Sequence, residues 1–206
     1  MSIAHYITFT RIIISPIFLL TYLEHDALGI SDQWLPYVLL ILMGISELSD
    51  ACDGFFARLY NQVTDLGKIF DPMADSIARI SVFLTFTQDP VHLPMLLIFV
   101  FIYRDSVIST LRTICALKGF ALAARPSGKL KAVIQAIAAF CILGMMIGHS
   151  KGLLTQSDLQ TYSTLFVGVA ALYAVYSALD YIHANREAIA RMFKPEKSQE
   201  LNKIFD

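Results

Sequence analysis

Long apolar stretches alternate with short polar breaks along the chain. Six stretches approach the roughly 20 residues that a helix needs to cross about 30 Å of hydrocarbon, and they span residues 3–23, 33–48, 70–86, 91–110, 132–148 and 159–179. The pattern predicts an all-α integral membrane protein with six transmembrane helices in one domain over residues 1–184. The tail over residues 185–206 mixes charged and apolar positions, which favours an amphipathic helix on the membrane surface.

The composition supports a membrane location. The chain has 206 residues, of which 56% are hydrophobic and 16% charged, and its mean hydropathy is +0.59. Soluble domains carry about 25% charged residues. A formal net charge of −1 excludes general electrostatic attraction to nucleic acid. Cys52, Cys115 and Cys141 lack the spacing of a metal finger.

The distribution of Lys and Arg predicts the orientation. Six spans put both termini on one side, and eleven basic residues fall on that side: Arg58, Lys68, Lys118, Arg125, Lys129, Lys131, Arg186, Arg191, Lys194, Lys197 and Lys203. The loops on the other side carry only Lys151. Because basic loops stay in the cytoplasm, we expect a multi-pass protein of the inner membrane with both termini cytoplasmic. Residues 50–75 are expected at the cytoplasmic boundary.

Four aspartates stand beside the apolar stretches. Asp50 and Asp53 are three residues apart, and Asp71 and Asp75 are four apart, which places each pair on one helix face. Four carboxylates in a partly desolvated site need protons or cations to neutralise them. Oxygen ligands without matching His or Cys favour hard ions such as Mg²⁺ or Mn²⁺. Helix capping would explain Asp71 before Pro72, but not all four acids.

The residues around the aspartates complete a longer motif. It reads Asp50-x2-Asp53-Gly54-x2-Ala57-Arg58-x8-Gly67-x3-Asp71-x3-Asp75. This order and spacing resemble the signature of the CDP-alcohol phosphatidyltransferases. The resemblance implies transfer of a phosphatidyl group from CDP-diacylglycerol to an alcohol, with release of CMP and the help of two metal ions, Mg²⁺ or Mn²⁺.

Further matches extend the resemblance over roughly residues 3–135. They comprise the run from Ala4 to Arg11 with Pro16 after it, residues 67–75, Arg104-Asp105, Leu111-Arg112 and residues 128–131. These resemble the members of the family that use glycerol 3-phosphate, although His5 stands where Asn is usual and Ser76 where Lys is common. The resemblance implies CDP-diacylglycerol and glycerol 3-phosphate as substrates, a lipid environment and a homodimer.

The resemblance also implies roles for individual residues. The metal ligands would be Asp50, Asp53, Asp71 and Asp75. Asp75 would also be the general base that takes the proton from the attacking hydroxyl. The nucleotide-binding residues would be Thr8, Asp50, Asp53, Gly54, Ala57 and Arg58. A dianionic acceptor also needs cations to receive it, and the candidates that flank the fourth and fifth apolar stretches are Arg104, Arg112, Arg125 and Lys129.

Several other charged residues keep two interpretations each. Lys131 either binds the acceptor or contacts anionic lipid. Arg11 and Arg79 either contact phosphate or pair inside the protein. Glu47 and Asp180 are candidate partners for such cations.

The last apolar stretch carries no family motif. Its aromatic residues, including Tyr181, are interpreted as packing and interface anchors. Its small residues, Gly168, Ala170, Ala171 and Ala174, would permit close helix packing.

Three alternatives remain open at this stage. Inositol phosphate or serine would serve as acceptor in the same chemistry. A divalent-cation transporter would also place acidic residues near a membrane boundary. Its acidic residues would, however, be expected along a path that crosses the bilayer midplane.

Overall fold

The computed structural model describes the backbone of residues 3–59, 65–117, 122 and 125–192, and the side chains of residues 10–49, 73–117, 122 and 125–190. Every regular element in these ranges is an α-helix, which confirms the predicted all-α class. The helices are α1 (Ile3–Leu23), α2 (Leu35–Leu59), α3 (Asp65–Thr85), α4 (Met95–Leu117), α5 (Pro126–Ser150), α6 (Gln156–Ala184) and α7 (Arg186–Met192).

Several helices are longer than the apolar stretches that predict them. α2 continues to Leu59, so much of the aspartate motif is helical. α5 begins at Pro126, ahead of the apolar stretch that starts at residue 132, because proline suits the first turn of a helix. The preceding Arg125 has the extended backbone of an N-cap residue. Hydropathy misses these ends because they are polar. The predicted tail helix begins as α7, and the residues after 192 lie outside the described ranges.

Two helices, α5 and α6, are long and apolar enough to cross a membrane by length and composition. Thr10–Leu23 and Leu35–Ser49 are shorter apolar helical segments. Other apolar stretches are interrupted by charged side chains, as α4 is by Arg104 and Asp105. The six-span arrangement therefore stays a prediction.

Aromatic rings occupy the centre of the apolar core. Phe86 is fully buried, and its ring centroid lies 5.9 Å from that of Phe18 and 6.1 Å from that of Tyr22 in edge-on geometry. Phe83 of α3 and Phe101 of α4 lie 5.0 Å apart, centroid to centroid. Aromatic pairs in such orientations stabilise a core beyond the area they bury. They hold α1, α3 and α4 together.

Small residues let α6 pack closely against the rest of the chain. Ala170, Ala171 and Ala174 are buried, and α6 packs against both α5 and α4. Val169 and Leu172, on the other side of α6, are exposed. The small residues therefore serve packing within the chain and give no support to the expected homodimer, which stays a prediction.

Polar contacts join the connections at one end of the bundle. Thr155 and Asp158 form a reciprocal capping box at the start of α6. Gln156 Nε2 donates to Asp89 Oδ1, beyond the end of α3, at 2.8 Å. These contacts stabilise this end of the bundle. The start of α5 and the end of α6 lie at the other end.

Candidate active site

A polar cavity of about 730 Å³ lies where the start of α5 meets the end of α6. Its polar lining consists of Glu47, Asp75, Ser76, Arg79, Arg104, Asp105, Arg112, Arg125, Lys129, Lys131 and Tyr181. The volume is in the range of sites for small molecules. Helices α2 to α6 all contribute residues to it, so the fold gathers charges that are far apart in the sequence.

The candidate general base lies on the wall of this cavity. The Asp75 carboxylate is 35% exposed and forms an ion pair with the guanidinium of Arg11, whose side chain is almost fully buried in α1. Of the two interpretations of Arg11, the structure favours pairing inside the protein. Because a buried charge without a partner is strongly destabilising, this pair fixes the relative position of α1 and α3.

The other motif aspartates lie on the two helices that supply Glu47 and Asp75 to the cavity. Asp50 follows Glu47 by three residues on α2, and Asp71 precedes Asp75 by four on α3. Such spacings keep residues on the same face of a helix. The side chains of seven predicted site residues lie outside the described ranges, namely Thr8, Asp50, Asp53, Gly54, Ala57, Arg58 and Asp71.

Asp105 joins two cations in the cavity wall. Its carboxylate accepts hydrogen bonds from Lys131 Nζ at 2.8 and 3.1 Å and from Arg104 Nη1 at 2.9 Å. The side chains of Asp105 and Lys131 are both more than nine-tenths buried. Arg104 Nη2 donates to Ser177 Oγ at 2.8 Å. Since two cations share one carboxylate, this cluster keeps a net positive charge.

Two residues of α3 complete this wall. Ser76 Oγ donates to Asp105 Oδ2 at 3.3 Å, so the position that departs from the resembled family lies against the cationic cluster. Arg79 Nη1 donates to the backbone carbonyl oxygen of Ala132 in α5. Arg79 therefore bonds inside the protein, in agreement with one of the two interpretations of this residue.

The end of α6 contributes to the same cavity. Asp180 accepts hydrogen bonds from Arg125 Nη2 at 3.0 Å and Arg125 Nε at 3.2 Å. These bonds and the charge of Asp180 raise the pKa of the Arg125 guanidinium above its ordinary value. The Arg112 guanidinium lies over the ring of Tyr181, 5.8 Å from the ring centroid. Asp180 is thus the partner of a cation, Arg125, as the sequence predicts.

All four residues predicted to bind the acceptor line this one cavity. Arg112 and Lys129 are exposed and have no carboxylate partner among the described side chains. Arg104 and Arg125 are held by Asp105 and Asp180. An anion that entered the cavity would find two unneutralised cations and two that are already fixed in place.

Sequence reasoning finds Asp180 as a partner for a cation and Asp105 as half of an Arg-acid pair, but it does not single out Ser177. Tyr181 is interpreted as a packing and interface anchor; the residue is only 2% exposed, which agrees with packing, and it also lines the cavity. The available signal is the spacing of Ser177, Asp180 and Tyr181, which places three polar groups on one face of an otherwise apolar helix.

A second polar group joins the α1–α2 connection, remote from the cavity. Ligand atoms of His25, Asp26 and Asp32 lie within 4.8 Å of one another. Burial of the His25 ring lowers its pKa, but the Tyr22 carbonyl oxygen and the Asp32 and Asp26 carboxylates raise the pKa overall. Both carboxylates are close to nine-tenths exposed. The group therefore fits a solvated loop contact.

Comparison with known proteins agrees with the geometry. A family model described as CDP-alcohol phosphatidyltransferase matches residues 1–179. A Bacillus subtilis protein named CDP-diacylglycerol–glycerol-3-phosphate 3-phosphatidyltransferase is 30% identical over 189 residues, which cover 89% of this chain and 94% of the relative. Proteins of the same name from Rickettsia typhi and Yersinia enterocolitica are 31% and 26% identical, over 73% and 89% of this chain and 79% and 94% of the relatives.

The motif of spaced aspartates, the cavity beside it and a family match over most of the chain lead to one conclusion. The resemblance found in the sequence is confirmed, and the chain belongs to the CDP-alcohol phosphatidyltransferase family.

Proposed function

We propose that the protein transfers the phosphatidyl group of CDP-diacylglycerol to glycerol 3-phosphate, giving phosphatidylglycerophosphate and CMP. Family membership makes the chain a phosphatidyltransferase and not a cation transporter. The single observation that carries the choice of acceptor is the cavity in which Arg104, Arg112, Arg125 and Lys129 surround a space that also reaches Asp75. The names of the relatives support the same acceptor.

The charge of the cavity suits a dianionic acceptor. Six Lys and Arg side chains and three carboxylates line it. Arginine guanidinium groups bind phosphate through paired hydrogen bonds in a fixed geometry. A neutral alcohol such as glycerol would leave these cations without an anion, and sites with unmatched buried polar groups reject such analogues strongly. Inositol phosphate remains the alternative acceptor, because it also carries a phosphate.

The proposed reaction is a displacement at the phosphorus of CDP-diacylglycerol. The acceptor hydroxyl attacks the phosphorus that bears the diacylglycerol, and a new oxygen–phosphorus bond forms. The bond from that phosphorus to the bridging oxygen of CMP breaks, and CMP leaves with the electron pair. Asp75 takes the proton of the attacking hydroxyl. Arg11 holds the Asp75 carboxylate against the cavity during this transfer.

The residues of the aspartate motif would hold two divalent ions, Mg²⁺ or Mn²⁺. The donor set fits, because carboxylate oxygens are the ligands that these ions prefer and the partly exposed Asp75 lines the cavity. Asp50, Asp53 and Asp71 would complete the set. When bound, such ions supply neutralisation of the pyrophosphate and of the leaving oxygen. Binding of the cytidine nucleotide is assigned to Asp50, Asp53, Thr8, Gly54, Ala57 and Arg58.

The site belongs at the cytoplasmic face of the inner membrane. The acyl chains of CDP-diacylglycerol stay in lipid, while glycerol 3-phosphate and CMP are dissolved in water, so the cavity has to lie at the interface. The basic residues at the start of α5, which line the cavity, support a cytoplasmic orientation. In this orientation residues 1–184 cross the membrane six times, and the tail over residues 185–206 lies on the cytoplasmic side.

The choice of acceptor is tested by a panel of alcohols. Purified protein in detergent micelles is incubated with CDP-diacylglycerol and Mg²⁺, and CMP release is measured with glycerol 3-phosphate, glycerol, serine or inositol phosphate. We expect rapid release with glycerol 3-phosphate and a rate with glycerol lower by a factor on the order of 10⁴. Faster release with inositol phosphate or serine would show that the acceptor is assigned wrongly within the family.

Metal dependence is tested by chelation. Exhaustive dialysis against EDTA should abolish CMP release, and added Mg²⁺ or Mn²⁺ should restore it, because the carboxylates assigned to the site and a pyrophosphate would repel one another without cations. A dialysed sample without EDTA serves as the control. Full turnover in excess chelator would contradict metal-assisted transfer.

The general base is tested by Asp75→Asn, which keeps the size of the side chain and removes its charge. Turnover should fall by a factor on the order of 10²–10⁴, the usual contribution of a general base, with a smaller change in the affinity for CDP-diacylglycerol. Loss of the Asp75 charge that pairs with Arg11 also destabilises the fold, so the melting temperature of the variant is measured in parallel. A folded variant with turnover close to that of the wild type would exclude Asp75 as the base.

A further inference from the structure

Three polar side chains mark one face at the end of α6. Ser177, Asp180 and Tyr181 are spaced by three and four residues, which places them together on the helix surface. Each touches a different arginine of the candidate acceptor site. The proposed reaction assigns no role to these three residues.

Ser177 holds Arg104 from the side opposite Asp105. Its hydroxyl is fully buried and accepts a hydrogen bond from Arg104 Nη2 at 2.8 Å, while Nη1 donates to Asp105 at 2.9 Å. A side chain at Gly128 would place its Cβ 3.6 Å from Arg104 Nη2, so α5 closes a third side. The guanidinium is therefore restrained by α4, α5 and α6 at once.

Asp180 holds Arg125 with two hydrogen bonds. They join Nη2 and Nε of Arg125 to the two carboxylate oxygens at 3.0 and 3.2 Å. Ser127 Oγ donates to Asp180 Oδ2 at 2.6 Å and keeps the carboxylate from rotating. Arg125 precedes α5 as its N-cap, so Asp180 ties the start of that helix to the end of α6.

Tyr181 supports Arg112 through its ring. The ring is buried, with the residue 2% exposed, and the Arg112 guanidinium lies 5.8 Å from its centroid. A cation over an aromatic face is attracted by the ring electrons. Arg112, which has no carboxylate partner among the described side chains, thereby has a fixed platform beneath it.

Holding these arginines matters for binding an anion. A free arginine side chain has many rotamers, and a ligand that immobilises it loses affinity, whereas a side chain already held in place loses less. Ser177 accepts without adding negative charge, and the Tyr181 ring is neutral. Ser177 and Tyr181 thus orient Arg104 and Arg112 without adding negative charge to the site.

We propose that the α6 face formed by Ser177, Asp180 and Tyr181 is the positioning surface of the acceptor site. It orients Arg104, Arg125 and Arg112 toward the phosphate of the acceptor. The three are positioning residues. The assignment rests on the proposed function, since it uses the same cavity and the same acceptor.

The sharpest test compares two serines of α6. Ser177→Ala removes only the hydroxyl that orients Arg104. Ser163→Ala is its matched control, because Ser163 lies fourteen residues earlier on the same helix, is also fully buried and has no hydrogen-bond partner among the described residues. We expect Ser177→Ala to raise the KM for glycerol 3-phosphate by about threefold to tenfold, the cost of one lost hydrogen bond. The KM for CDP-diacylglycerol and kcat should stay within about twofold, and Ser163→Ala should change none of them.

Tyr181 and Asp180 test the same surface by different chemistry. Tyr181→Leu removes the aromatic platform and should raise the acceptor KM, while Tyr181→Phe, which keeps the ring, should give a KM between those of the leucine variant and the wild type. Asp180→Asn weakens the hold on Arg125 and should act in the same direction as Ser177→Ala. Equal increases in both substrate KM values, or equal effects of Ser177→Ala and Ser163→Ala, would show a merely structural role and overturn the proposal.

A binding measurement separates this proposal from the proposed function. Inorganic phosphate should raise the melting temperature of the wild type and of Ser163→Ala, and it should raise that of Ser177→Ala less at the same concentration. If the wild type releases no CMP with glycerol 3-phosphate, the proposed function fails, and the phosphate shift still decides whether α6 orients the cations. Identical shifts in all three proteins would overturn the positioning role.

Discussion

The structure depends on the pairing of charges that a mostly apolar helical bundle has buried. Lys131 and Asp105 are each more than nine-tenths buried, and their charged atoms lie 2.8 Å apart. A buried ion is tolerated only with a partner at close range, so α4 and α5 have one register in which both charges are satisfied. Arg11 and Asp75 impose the same condition on α1 and α3. These pairs determine where the walls of the cavity lie.

The two ends of the bundle differ because different interactions organise them. Aromatic packing around Phe86 holds the helices together away from the cavity, and this packing needs no charged groups. At the other end, cations outnumber carboxylates among the described residues of the lining, so the carboxylates of this part of the chain cannot neutralise every cation. An apolar core that supports an incompletely neutralised cavity is a stable arrangement for binding an anion, because the fold does not rely on the unneutralised charges.

The sequence predicts the helices and the residues that line the cavity better than it predicts the contacts among those residues. Apolar stretches indicate every long helix, and Arg104, Arg112, Arg125 and Lys129 are found as cations that flank the fourth and fifth apolar stretches. Pairing is different, because which carboxylate meets Lys131 depends on how two helices are rotated against each other, and periodicity within one helix carries no such information. Ser177 escapes notice because a single serine in an apolar helix is ordinary.

The most direct test of the account is an experimental structure of the protein with glycerol 3-phosphate bound. We expect the phosphate in the cavity between α4, α5 and α6, within hydrogen-bond distance of the guanidinium groups of Arg104 and Arg112, and the free hydroxyl directed toward Asp75. Arg104 should keep its bonds to Ser177 and Asp105 in that complex. A phosphate bound outside this cavity, or a cavity in which Arg104 has left Ser177 to reach the ligand, would contradict the account.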